Sequence, residues 1–149
     1  MRNFNFKGGT ARQGQVPQET SEQFFKKLNF QQTWITDRAD ESMIAFADTA
    51  GKYMADNKLT NSKIRSIYGE IKRIQMGGYE DNVPSFLLLR PKVAYALGRD
   101  KNNKGLQLFK LVFDAAAKSV TKKEEFQNFC NFIEAILAYH RANGGNDLP

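Results

Sequence analysis

Between Phe126 and Tyr139 the chain gathers Phe126, Phe129, Cys130, Phe132, Ile133, Ile136, Leu137 and Tyr139 into one segment. Wound at 3.6 residues per turn, these side chains cover a wide arc rather than a narrow stripe. A helix apolar on most sides is stable in water only at the centre of a bundle. The segment opens with Thr121-Lys122-Lys123-Glu124, a capping-box pattern, and stops at Gly144-Gly145. One sequence feature therefore demands that other helices surround it.

The rest of the chain supplies them. A helix is expected from about Arg38 to Asn57, with Asp37 as candidate cap, Asp40 and Glu41 at the positive end of the dipole, and Met43, Phe46, Ala47, Ala50 and Met54 on its apolar face. Thr60 caps the next, Leu59 can staple against Ile64, and Ile64, Ile67, Ile71 and Ile74 repeat at helical spacing until Gly77-Gly78. A third helix begins near Pro84 and ends around Gly98-Arg99. Pro91 inside it predicts a kink or break between Leu89 and Lys92, because proline lacks a backbone donor and restricts the residue before it. A fourth follows Asn102-Asn103, with Leu108, Leu111, Val112, Ala115 and Ala116. No stretch alternates as a strand does. The expected architecture is all-α: a compact five-helix bundle over residues 37–143, with a flexible N-terminal extension, residues 1–36, and a frayed C-terminus, residues 144–149. Within the extension, Thr20 and Gln23 form a capping box before Phe24, Phe25 and Leu28, and Phe30, Trp34 and Ile35 continue the apolar character. This short amphipathic segment docks either on its own domain, the preferred reading, or on a neighbouring subunit. With 149 residues, 41% hydrophobic and 12 Phe, one domain can bury a sizeable core.

Most site chemistry is missing. A single His and a single Cys rule out the usual zinc clusters, and no glycine-rich loop precedes a Lys-Ser/Thr pair. His140 and Glu134 lie six residues apart and do not share a helix face, so an enzyme using them is only a formal alternative. His140 reads as a partly buried helix-end residue and Cys130 as a small core hydrophobe. No catalytic residue, metal or cofactor is expected. No apolar run reaches the roughly 18 residues of a membrane span, no signal segment is visible, and Cys130 has no partner for an internal disulfide. The simple reading is a cytoplasmic protein without membrane association.

The charge is +6 overall and is unevenly distributed. Residues 57–78 hold five cations against Glu70, and residues 84–105 hold five against Asp100, a net of +4 each. On the second helix Ser62, Arg65, Gly69 and Arg73 share one face, with Lys72 beside it. Gly69 either lets a phosphate backbone approach or lets another helix pack closely. Arg90, Lys92, Arg99, Lys101 and Lys104 form the second cluster. Two such surfaces suit an anionic partner: a phosphate backbone, which needs only matched cations, or the acidic faces of proteins met by a helical adaptor.

Three stretches carry a family resemblance across residues 59–140: Leu59-Thr60-Asn61-Ser62-Lys63-Ile64-Arg65 with Ile67 and Ile71-Lys72-Arg73-Ile74; Leu88-Leu89-Arg90-Pro91-Lys92-Val93-Ala94-Tyr95 with Gly98-Arg99; and Phe126 through Phe129-Cys130 and Phe132, then Glu134-Ala135-Ile136 and Ala138-Tyr139-His140. In their order and spacing the chain resembles the small subunit of type III-A (Csm) CRISPR effector complexes, ribonucleoproteins of antiviral defence. Residues 1–57 add nothing to this resemblance. It implies a non-catalytic five-helix subunit that stacks in several copies along the guide RNA–target RNA duplex, beside the backbone and large subunits, and contacts mainly the target-strand backbone. By matching position it implies RNA contact for Lys63, Arg65, Lys92 and Arg99. Lys72, Arg73 and Arg90 join them on surface position alone. Tyr95, Glu134 and Tyr139 are expected to be structural.

Overall fold

The helix expected at the centre is present in a computed structural model that describes residues 18–145. The described residues form eight helices and no strand: α1 (Ser21–Leu28), α2 (Thr33–Thr36), α3 (Glu41–Asp56), α4 (Asn61–Gly77), α5 (Val83–Leu87), α6 (Leu89–Gly98), α7 (Lys104–Ala117) and α8 (Lys123–Ala142). In α8, Phe126, Phe129, Cys130, Phe132, Ile133 and Ile136 are all buried. This helix packs chiefly on α3 and α2, while α7 is lined by α1, α3 and α6, and α4 rests on α6 and α5. Helices α3 and α8 approach so closely that a Cβ on Gly51 would lie 2.7 Å from the His140 backbone nitrogen and 2.8 Å from the Ile136 carbonyl oxygen. Only glycine fits there.

The all-α expectation holds, but the count of five changes for two reasons. First, the third expected helix is two. The break falls at Leu88, just outside the predicted window, and Pro91 sits in the first turn of α6. The proline cannot donate to the carbonyl four residues back, which belongs to Leu87, and its ring crowds that carbonyl. Helix α5 therefore ends at Leu87, and in the first turn of α6 the missing donor goes unneeded.

Second, residues 21–36 belong to the packed body, contrary to a body beginning at residue 37. The capping box of α1 forms as read, with the Gln23 N–H on the Thr20 hydroxyl and the Thr20 N–H on the Gln23 side chain. The buried Ser21 hydroxyl lies 3.1 Å from the Lys104 carbonyl, the Gln107 side-chain oxygen and the Tyr53 hydroxyl. Phe24 stacks on Tyr53 with ring centroids 4.2 Å apart. Trp34 is 2% exposed and Ile35 wholly buried. Trp34 packs with Phe30, Phe46 and Phe132 in one aromatic cluster, which explains the docking: large rings gain more from the core than the segment loses by ordering. The Asn128 amide on α8 fixes the end of α2 by donating to the Ile35 and Asp37 carbonyls. Residues 1–17 of the extension, and residues 146–149, lie outside the described residues.

Local ends also differ from expectation. Asp40, not Asp37, caps α3: its carboxylate accepts from the Met43 N–H at 3.0 Å and from the Trp34 indole at 3.1 Å. Thr60 occupies the cap position of α4 but turns its hydroxyl to Ser62. At α8 the Thr121 N–H and hydroxyl both meet Glu125, one residue beyond the expected Glu124. Gly144 and Gly145 close α8 rather than fray. Gly144 adopts φ +93°, its N–H bonds the Arg141 carbonyl, and the Gly145 N–H bonds the His140 carbonyl at 2.8 Å, the double bond of a Schellman stop.

Candidate nucleic-acid interface

Helix α4 is set in place at its start. Three consecutive carbonyls before it are each taken by another part of the fold. The Asn57 carbonyl accepts from the Gly105 N–H at 3.0 Å, the Lys58 carbonyl from the Asn103 amide at 2.9 Å, and the Leu59 carbonyl from His140 Nε2 at 2.6 Å. His140 is completely buried, deeper than the partly exposed position expected of it, and its Nδ1 has no partner. Because a carbonyl can only accept, Nε2 carries the proton. The side chain is a structural strut between α8 and the root of α4. Glu134, by contrast, is at the surface and bonds the Lys72 ammonium at 3.0 Å, so the two residues form no common site.

From that root, α4 borders two clefts. The first lies against α6 and encloses about 760 Å³ between Ser62, Lys63, Ser66 and Ile67 on one side and Leu88, Pro91, Lys92, Tyr95, Ala96 and Arg99 on the other, with Asp100 at its end. Three of the seven expected contact residues, Lys63, Lys92 and Arg99, converge here from two helices. Lys63 bonds Asp100 at 3.0 Å. The Lys63 ammonium, and then the Asn103 amide, hold the Asp100 carboxyl below its ordinary range. Asn103 thus joins three things: it caps α7 through the Leu106 N–H, holds the Lys58 carbonyl, and steadies Asp100 behind Lys63. No salt bridge ties Lys92 or Arg99 among the described residues. Both are exposed.

The second cleft lies against α8 and encloses about 650 Å³, with Asn61, Ile64, Arg65, Tyr68, Glu134, Leu137, Ala138 and Arg141 around it. Arg65 is here, across α4 from Lys63. The Lys72 ammonium lies 5.6 Å from the Tyr68 ring, and its bond to Glu134 raises its pKa above the usual lysine value. Arg73 folds back on Glu70 through both guanidinium nitrogens that face it, and this holds the Glu70 carboxyl low. Arg90, in the first turn of α6, is half-buried and outside both clefts. The fold therefore divides the seven cations rather than assembling them in one row. Gly69 has open space where a Cβ would stand, so no helix among the described residues packs against it.

Tyr95, expected to be structural, is 67% exposed. Its position was visible in the sequence, since Lys92, Tyr95 and Arg99 fall at helical spacing on one face. Arg141, on the last turn of α8, gave no such signal, because only the tertiary fold brings it beside Arg65. Cys130 is buried as expected, and that burial pushes its thiol up to about 12. No helix is long and apolar enough to cross a membrane among the described residues.

The family model described as Csm2 type III-A matches residues 37–146. It starts well before Leu59, so α3 is inside the shared region that the three quoted stretches did not reach. A curated relative, the CRISPR system Cms protein Csm2 of Streptococcus thermophilus, is 30% identical over 107 residues, covering 67% of this chain and 82% of the relative. No solved structure matches the chain.

Proposed function

Because this chain belongs to the Csm2 type III-A family, and so is a non-catalytic small subunit of the Csm type, we propose that it works in antiviral defence as an RNA-contacting scaffold. In this reading several copies stack along the guide–target RNA duplex, beside the backbone and large subunits, in the cytoplasm. The target strand's backbone passes over the α4–α6 groove. Lys63, Lys92 and Arg99 meet its phosphates, and Arg65 with Lys72 forms a second row across α4. Arg73 and Arg90 stand further from the path.

The observation that carries the reading is the convergence of Lys63, Lys92 and Arg99 on one groove from helices α4 and α6. Isolated surface cations are ordinary. Three brought together on a groove lined by one acid, Asp100, with two of them in no salt bridge among the described residues, make a local positive field that a polyanion can use, although Glu70 lies near enough to feel Lys92. Phosphate contacts need no sequence code, so binding is indifferent to base order and weakens steeply with salt. The test is a salt series on single-stranded and duplex RNA with the wild type and the double variant Lys92→Ala/Arg99→Ala. Removing two phosphate contacts lowers the slope of log affinity against log salt by about 1.4 on single strands. The thermal unfolding curve stays unchanged, since both side chains are in solvent. A variant with the wild-type slope removes the groove from the RNA path. Copurification with acidic proteins in place of RNA would then favour the adaptor reading.

A further inference from the structure

We propose that Tyr95 is a stacking platform for an unpaired RNA base, which makes the α4–α6 groove a site for locally single-stranded RNA as well as for phosphate. The proposal rests on the reading of that groove as an RNA surface, and it adds the form of the ligand.

The groove has more than a phosphate row requires. Among the described residues five large hydrophobic side chains are exposed, and three of them, Leu87, Leu88 and Tyr95, lie on the α5–α6 stretch. Tyr95 and Leu88, 67% and 57% exposed, both line the groove, together with Pro91, Ala96 and Ile67. Leaving this much apolar surface in water is unfavourable, and a row of phosphates gains nothing from it. A ligand that uses both parts of the groove must be anionic along one edge and flat and apolar along another. A nucleotide with its base exposed has that chemistry. The groove volume of about 760 Å³ is in the range of sites that enclose small ligands.

The arrangement on α6 fits this ligand residue by residue. Lys92 stands three positions before Tyr95 and Arg99 four after it, so a cation flanks the ring on either side along one helix face. The Arg99 guanidinium lies over the Tyr95 ring, 5.9 Å from its centre, and so covers one face and leaves the other for a base. A base laid on the ring therefore has its two flanking phosphates within reach of positive charge. In an A-form duplex the base faces are covered by their neighbours, and proteins reach mainly the backbone and the shallow groove. The ring can act only where the strand is unpaired or a base is turned out. Stacking of this kind tolerates any base, because each has a π-face.

The experiment uses the full chain and two ligands of the same sequence: a single-stranded RNA with a fluorescent adenine analogue near its middle, and the fully paired duplex. Tyr95→Leu, which keeps an apolar side chain but no ring, weakens single-strand binding by about tenfold and abolishes quenching of the fluorescent base. Tyr95→Phe retains both. The Leu variant leaves duplex affinity and the salt slope unchanged, because no charge is lost. Wild-type affinity and quenching in Tyr95→Leu would overturn the proposal, as would a Phe variant as weak as the Leu variant, which would assign the effect to the hydroxyl. If Lys92→Ala/Arg99→Ala loses binding while Tyr95→Leu does not, the stacking platform is wrong and the cationic groove stands. If neither variant changes binding, both readings fail together.

Discussion

The α3–α8 seam and the α4–α6 groove are built in opposite ways. At the seam two backbones touch across Gly51, the helices share Phe46, Phe132, Ile136 and His140 as buried side chains, and the one buried imidazole is fixed on a carbonyl. At the groove the two helices pack at its floor, but the walls above it stay open: cations face water, and a tyrosine and a leucine remain largely exposed. The seam is where burial stabilises the fold. The groove gives up some of that stabilisation and keeps surface for a partner. Seam substitutions should thus change stability and leave the binding of folded molecules intact, and groove substitutions should do the reverse.

The largest effect is expected at Trp34, whose ring seals the N-terminal side of the seam. Trp34→Ala removes a buried aromatic from the cluster with Phe30, Phe46 and Phe132 and leaves Asp40 without its indole donor. A loss of about 3–5 kcal/mol is expected, seen as a fall in Tm of roughly 10 °C or more. A Tm within about a degree of wild type would mean that residues 21–36 are a detachable extension after all. Next comes Gly51→Ala. Its methyl group meets two backbone atoms that cannot rotate away, so the helices must separate, at about 1–3 kcal/mol. Denaturant unfolding measures this, and an unchanged midpoint would show that the two helices do not touch.

The smallest effect is at the groove. Asp100→Asn releases Lys63 from its salt bridge and raises the local charge by one. RNA affinity should rise by about two- to fivefold at low salt, with the gain fading towards molar salt, while the unfolding midpoint stays close to wild type, as for surface pairs generally. The pH dependence has a definite sign. Asp100 titrates below its ordinary value, so its pairing with Lys63 is complete above that value and is lost only as pH falls through the depressed one. Between about pH 5 and 8 this pair should leave RNA affinity flat. A tightening that begins near neutrality would assign the control of Lys63 to another group.

Several features were legible in the sequence because they are local. The stripe Ile64–Ile67–Ile71–Ile74 is buried as its spacing requires, the Thr20–Gln23 capping box closes, and Cys130 lies in the core among the aromatic side chains of α8. Such signals depend on neighbours within one or two turns. The stop at Gly144-Gly145 was also visible, though not the His140 and Arg141 carbonyls that make it firm. Asp40 rather than Asp37 caps α3 because its carboxylate also meets the Trp34 indole, which packing has already fixed.

Three properties can be read along the chain alone: it is helical, its last long helix must be surrounded, and its positive charge is concentrated on residues 57–78 and 84–105. Each follows from spacing and composition. Three others emerge from packing between helices: Lys63, Lys92 and Arg99 share a groove while Arg65 faces another, Tyr95 stays in solvent, and Trp34 belongs to the core. These depend on pairs of residues far apart in the chain, and their meeting is set by the close contact of α3 with α8 and by the three carbonyls that hold the root of α4. Helical periodicity fixes which way a side chain points from its own axis. It says nothing about which other axis it will face.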